Sequence, residues 1–272
     1  MRDVLAGRGI QLTKSLGQNF LHDQNQLLRI VAAAGLSKGD KVLEIGPGLG
    51  PLTDLLLPNA AKVMAIEKDA RLLAFLGERY QQTSLDLVYA DALEFLKSGP
   101  HDWSDWKVVS NLPYSVASAI LVELARGARA PKKIVVTLQW EVAQRLMAGT
   151  DDDDYGILTL LVQLDFEPRE SFKIPPGSFF PEPDVDSGCV VLDRRKTPLL
   201  PEDLRATFAK IVKRAFSQRR KMMLKLLKAD WPEETLRSTF AALNISPQER
   251  AEKLSLDQFA ELTKRLKQFG EN

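Results

Sequence analysis

One cysteine and two histidines occur among the 272 residues. Cys189 therefore has no partner for an intrachain disulfide, and with only His22 and His101 beside it no zinc-ligand cluster can form, so no metal is expected. It lies in the strand-like run Cys189-Val190-Val191-Leu192 and reads as core filler. Long apolar runs are also lacking. None reaches the roughly 20 residues that span a bilayer, and residues 1–10 lack the continuous apolar segment of a signal peptide. The expectation is a cytoplasmic protein with no membrane partner. Nor is there an excess of one charge: 37 Lys and Arg against 36 Asp and Glu leave a formal net charge of +1. That excludes a uniformly basic nucleic-acid binder and shifts attention to how the charge is distributed. A hydrophobic content of 44% over this length suits one α/β domain with a smaller appendage.

The most informative segment is Asn111-Leu112-Pro113-Tyr114, at the end of the apolar run Val108-Val109-Ser110. A polar amide, a carbonyl held by the following proline and an aromatic face suit a flat, amino-bearing ring such as adenine. The exocyclic amine of adenine is a poor nucleophile because its lone pair is delocalised into the ring. If the Asn111 side-chain oxygen and the Leu112 carbonyl accept its two N–H groups, a pyramidal nitrogen with a more localised lone pair is favoured. Pro113 restricts Leu112 to extended geometry, so the acceptor is in place before substrate arrives. Tyr114 can stack on the base. The same four residues also suit an ordinary strand-to-loop turn.

A second motif precedes it. Lys41-Val42-Leu43-Glu44-Ile45 reads as a buried strand running into Gly46-Pro47-Gly48-Leu49-Gly50 and then a helix from about Leu52. Strand, glycine turn and helix N-terminus make a nucleotide cradle. The dinucleotide fingerprint places its third glycine three positions after the second, where this chain has Pro51, which disfavours a nicotinamide or flavin cofactor. The next strand-like run, Lys62-Val63-Met64-Ala65-Ile66, ends in Glu67, spaced from Gly46 as a ribose-binding carboxylate requires. Leu85-Asp86-Leu87-Val88-Tyr89 then delivers Asp91, placed to accept the amine of a cofactor's adenine. Either acid alone also suits a helix cap or a solvated turn.

With these motifs in order, the chain resembles the ribosomal RNA adenine N6-dimethyltransferases, of the KsgA type acting on the bacterial small subunit. The likeness runs through Gly17-Gln18-Asn19-Phe20-Leu21, Glu44-Ile45-Gly46-Pro47-Gly48, Asn111-Leu112-Pro113-Tyr114, residues 179–187 and Ser217-Gln218-Arg219-Arg220-Lys221. It implies a Rossmann-like methyltransferase sheet of the α/β class with a small C-terminal helical domain. It implies S-adenosylmethionine as cofactor, touching Asn19, Leu21, Gly46, Gly48, Glu67, Asp91 and Asn111, and an aromatic clamp on the target base from Tyr114 and Phe179. The activity it implies is N6,N6-dimethylation of two adjacent adenosines in the 3′-terminal hairpin loop of 16S ribosomal RNA, in an assembling 30S subunit, by a monomer. Departures from the usual pattern are Ser110 where glycine is common, Trp140 for Lys or Arg, and Asp184 at a position usually basic.

From Lys210 to Lys228 the chain has eight Lys and Arg and no acid, with apolar residues at helical spacing between them. Lys213, Arg214, Arg219, Arg220 and Lys221 are therefore candidates for gripping RNA phosphates, although a basic run also suits a solvated helix face. The acidic run Asp151 to Asp154 reads as a solvated tip. Expected boundaries are an N-terminal arm over residues 1–22, the methyltransferase domain over 23–197 and a helical RNA-binding domain over 198–272. Late strands are expected over residues 158–166, 170–174 and 188–193, and helices over 202–216, 219–228, 233–243 and 256–269. The proline-rich segment 175–183 should be a stiff loop presenting Phe179, unless Phe179 and Phe180 anchor it in the core. Rival activities are dimethylation of 23S ribosomal RNA, RNA binding without turnover in ribosome assembly, and nicotinamide-dependent oxidoreduction.

Overall fold

Aspartates at strand ends start the helices, and buried aliphatic runs make the strands. Asp23 accepts the N–H groups of Asn25 and Gln26, Asp69 that of Arg71, and Asp91 those of Leu93 and Glu94, so each supplies acceptors to an exposed helix N-terminus. The computed structural model describes residue 7, residues 19–99 and residues 101–267. The expectations for Gly17 and Gln18 lie outside the described residues, as does most of the expected N-terminal arm.

Two units make up the chain: Met1–Ala143 with Glu167–Arg194, and Gln144–Phe166 with Arg195–Asn272. In the first, strand β1 (Phe20–Leu21) and helix α1 (Gln24–Ala34) precede alternating elements: β2 (Lys41–Ile45), α2 (Thr53–Leu56), β3 (Lys62–Glu67), α3 (Ala70–Arg79), β4 (Leu85–Tyr89), α4 (Ala92–Lys97), β5 (Trp106–Asn111), α5 (Ala117–Leu124) and β6 (Lys133–Gln139). Then come α6 (Trp140–Met147), α7 (Ile157–Gln163), β7 (Phe166–Ile174), β8 (Phe179–Phe180) and β9 (Ser187–Arg194). Helices α8 (Arg205–Ala215), α9 (Met223–Leu227), α10 (Glu233–Ala242) and α11 (Leu256–Lys267) belong to the second unit.

The main sheet has the order β4-β3-β2-β5-β6-β9-β7. Strands β2 to β6 pair in parallel, and β9 runs antiparallel to β6. The chain winds outward from β2 to β4, then returns to the other side of β2 as β5. Ligands of open α/β sheets bind at the carboxyl ends of the strands flanking such a reversal, here β2 and β5. Those two strands part early: β2 pairs with β3 as far as Ile45, but with β5 only as far as Leu43 opposite Val108. Beyond that point the Ile45 N–H donates to the buried Ser110 hydroxyl at 2.8 Å. A side chain thus replaces the ladder where the strands open, which gives the unusual serine a structural purpose. Cys189 is fully buried in the core of this unit with Val42, Val63, Val109 and Val135, as expected.

The second unit has its own core, in which Phe208, Ile211, Trp231, Phe240 and Phe259 are wholly buried. Three expectations need correction. Most of residues 158–166, expected as a strand, belong to helix α7 instead, because the short, mainly apolar run Leu158 to Val162 fits a buried helix as well as a strand. Packing of Leu160 and Leu164 into this second core also moves residues 144–166 out of the expected methyltransferase segment. Residues 219–222 are not helical; the Lys221 N–H closes a turn onto the Gln218 carbonyl, and α9 begins only at Met223.

Candidate active site

The glycine loop after β2 forms the floor of a cavity. Gly46, Gly48 and Gly50 have φ of 69°, 63° and 86°, in the left-handed region that side chains disfavour. A Cβ on Gly48 would stand 2.5 Å from the Phe20 ring, and one on Gly46 3.5 Å from Pro113. The bare backbone therefore leaves a cradle that any side chain would fill.

Glu67, at the end of β3, is buried behind this floor. Its carboxylate accepts the N–H groups of Asp69 at 2.8 Å, Lys68 at 2.9 Å and Gly48 at 3.4 Å. Burial pushes its carboxyl above the usual carboxylate range against the pull of these donors. Asp91 follows β4, caps α4 and receives the Lys68 ammonium at 2.7 Å. Lys68 holds the Asp91 carboxyl below its ordinary range. The helix-cap reading of Asp91 is thus correct, and it coexists with a place in the cavity wall.

Across the reversal, at the end of β5, the Asn111 amide donates through Nδ2 to the Asn19 carbonyl at 2.8 Å. Only the NH2 end can donate to a carbonyl, so that bond fixes which end of the amide is oxygen. The oxygen, Oδ1, is buried and has no hydrogen-bond partner among the described residues. A buried acceptor left unpaired costs about 1–3 kcal/mol, and this one belongs to a residue that lines the cavity. Such an atom fits a ligand donor. The Leu112 N–H is committed to the Thr137 carbonyl at 2.9 Å, which anchors the motif to β6.

Glu44, on β2, is 1% exposed and accepts the Thr53 hydroxyl at 2.7 Å. Burial pushes its carboxyl up to about 8. A raised folded pKa means that the neutral acid's contribution to stability is intact below the ordinary value of 4.5 and is lost as pH rises through about 8. Glu44→Gln is expected to gain in Tm relative to the unaltered chain as pH is raised from 5 to 8.5. A Tm difference independent of pH would reject a neutral buried Glu44.

The cavity therefore gathers Asn19, Gly46, Gly48, Glu67, Asp91, Asn111, Leu112 and Pro113 from among the expected residues. Three lie elsewhere. Leu21 is buried in the core and pairs with Phe179 across the β1–β8 ladder, outside the cavity lining. Tyr114 is half-buried, with its hydroxyl hydrogen-bonded to the Ser187 hydroxyl. Phe179 is 2% exposed and packs in the core that also holds Phe172 and Ile174. The structure thus places Phe179 as an anchor of the proline loop rather than as an open stacking face. Phe179→Ala should cost about 3–5 kcal/mol of stability in urea unfolding; a loss below about 1 kcal/mol would contradict this packing. Sequence reasoning missed Phe20 over Gly48, although it falls inside a matched motif, and Lys68, for which no sequence signal exists.

In the second unit Lys213, Arg214, Arg219, Arg220 and Lys221 are all exposed. Arg214 pairs with Asp230 at 2.6 Å, and Arg219 donates to the Asp153 carbonyl at 2.6 Å. Lys213, Arg220 and Lys221 have no ion-pair partner among the described residues.

A parallel sheet extended by an antiparallel strand inserted between β6 and β7 departs from the dinucleotide-binding order, in which the sixth strand simply follows the fifth. Together with the glycine cradle, this is the architecture of a Rossmann-like methyltransferase. A model of the ribosomal RNA adenine dimethylase family matches residues 9–268, and the chain belongs to that family. It is 36% identical to the ribosomal RNA small subunit methyltransferase A of Geobacter sulfurreducens, over 98% of this chain and 99% of the relative. Identity to the protein of the same description from Ligilactobacillus salivarius is 38%, over 100% and 95% of the two chains. Among solved structures it resembles a dimethyladenosine transferase from Plasmodium falciparum, with a TM-score of 0.75 and 26% identity over 89% of this chain and 95% of that one. It also resembles the 23S rRNA methyltransferase ErmE, with a TM-score of 0.69 and 28% identity over 92% and 100%.

Proposed function

We propose that this protein dimethylates N6 of two adjacent adenosines in the 3′-terminal hairpin loop of 16S ribosomal RNA, acting as a cytoplasmic monomer on an assembling 30S subunit. The observation that carries the chemistry is the buried, unpartnered Asn111 Oδ1 in the cavity wall at the sheet reversal. The choice of small-subunit RNA is supported by the relatives, which are described as small subunit methyltransferases over nearly their full length.

The cradle above Gly46 and Gly48 fits S-adenosylmethionine, with Glu67 accepting from the ribose, Asp91 beside the adenine, and Asn19, Gly46 and the Leu21 main chain toward the methionine end. When bound, that cofactor supplies an electrophilic methyl on a sulfonium. Asn111 Oδ1 and the Leu112 carbonyl accept the two N–H groups of the target amine and localise its lone pair. The Asn19 carbonyl, by holding Nδ2, keeps Oδ1 aimed before substrate arrives. Tyr114 stacks on the extruded base. Phe179 would complete the clamp only after a shift of the proline loop that frees one face of its ring. The methylated amine is a strong acid and loses its proton to water, so no side chain is assigned as general base. Exposed Lys213, Arg220 and Lys221, with Arg214 and Arg219 beside them, grip phosphates of the RNA.

Labelled methyl transfer to small subunits lacking N6-dimethyladenosine, followed by primer extension on both ribosomal RNAs, tests this reading. Two adjacent modified adenosines near the 3′ end of 16S RNA are expected. Modification of 23S RNA alone, or RNA binding without transfer, would overturn it.

A further inference from the structure

The acidic run at residues 151–154 is exposed from Asp151 to Asp153, as a solvated tip should be, yet it is tied down. Tyr155 is buried and its hydroxyl donates to the Leu254 carbonyl at 2.9 Å, while the Asp151 N–H donates to the Glu252 carbonyl at 3.2 Å. These bonds fix the loop against the segment after Arg250. There Asp151 pairs with Lys253 at 2.7 Å, and the Asp153 carbonyl receives the Arg219 guanidinium. Arg219, Arg220, Arg250 and Lys253 line one concavity in the second unit together with Asp151 to Asp153 and Glu252, which stands 3.8 Å from Arg250. Oxygens of one short loop hold two cations of a basic cluster, as successive phosphate oxygens of a nucleic acid would.

We propose that this concavity is a binding site for single-stranded RNA phosphates and that the Asp151 to Asp154 loop is its built-in competitor, whose contacts to the cations, not its anchored backbone, give way when RNA binds. The inference rests on the RNA-binding reading above and extends it to Arg250 and Lys253. Both members of the Asp151–Lys253 pair are about half exposed. Exposed pairs are weak, so the pair is exchangeable for a phosphate. Its effect is selectivity. An RNA that offers several phosphates at once takes over the cations, whereas a weakly held one does not, because the released carboxylates stay close on the anchored loop and repel it.

Asp151 has φ of 75°, a conformation that asparagine tolerates, so Asp151→Asn removes the charge without straining the turn. Asp153→Asn keeps the backbone carbonyl that Arg219 uses. The double variant D151N/D153N is expected to match the unaltered protein in Tm. It should bind a short single-stranded RNA of mixed sequence about threefold more tightly at moderate salt. Its log–log salt dependence should steepen by about 0.7, the contribution of one released cation. Adding K253M should return the slope to that of the unaltered chain. Equal slopes for the unaltered protein and D151N/D153N would overturn the competitor role while leaving the methyltransferase reading intact. An unaltered protein with no salt-dependent RNA binding would overturn the phosphate site itself.

Discussion

Asn111→Ala should lower kcat by about 100- to 1000-fold, the range seen when one preorganised hydrogen-bonding group is removed from a reacting centre. The variant loses the buried, unpartnered oxygen to which the proposed function assigns the target amine. It also frees the Asn19 carbonyl that Nδ2 occupies. Cofactor affinity should fall by no more than about tenfold, since a single neutral hydrogen bond is worth about 1 kcal/mol. Asn111→Asp separates two contributions: the acceptor oxygens remain, but the bond donated to Asn19 is lost and a charge is added. Single-turnover methyl transfer together with calorimetric titration of the cofactor provides the measurement. Near-normal transfer by the alanine variant would remove Asn111 from the chemistry.

Gly48→Ala should act on the other partner. Its Cβ would sit 2.5 Å from the Phe20 ring, and its φ of 63° is left-handed. That conformation costs an alanine about 1–2 kcal/mol before Phe20 moves. Phe20 lines the cofactor cavity and pairs with Phe180 in the small sheet, so the ring cannot withdraw without disturbing the wall. Cofactor affinity is expected to drop about 100-fold, equivalent to about 2.7 kcal/mol, alongside the stability loss. Gly77→Ala is the internal control. Gly77 lies within α3, its added Cβ meets nothing within 4 Å, and helix propensity predicts a gain of about 0.5–1 kcal/mol. If both variants kept full cofactor affinity, the cradle would lie elsewhere.

The sheet and the line of polar residues at its carboxyl edge were legible because parallel strands are short aliphatic runs, and here β2, β3 and β4 lead into Gly46, Glu67 and Asp91 and β5 into Asn111. β2, β3 and β4 fall where Lys41-Val42, Lys62-Val63 and Leu85-Asp86 begin. Helix α7 was not legible, since Leu158-Thr159-Leu160-Leu161-Val162 has no period to distinguish a buried helix from a buried strand. The Lys68–Asp91 pair depends on the parallel register that sets Glu67 beside Tyr89, which no local pattern encodes. The burial of Phe179 was one of two readings that the sequence left open. Its motif carries the identity of the residue but not its exposure, and exposure follows from the two-residue ladder with Leu21. The unpartnered oxygen of Asn111 is likewise a property of three dimensions, because its orientation comes from a carbonyl 92 positions away.

Ser110 is a yardstick for the cavity. Its hydroxyl accepts the Ile45 N–H, the residue after Ile45 opens the glycine loop, and the residue after Ser110 is Asn111. The distance between the glycine loop and Asn111 is therefore gauged by one oxygen atom at the fork of two strands. In the proposed reaction, compression or slack at that fork would reach methyl donor and nitrogen nucleophile together.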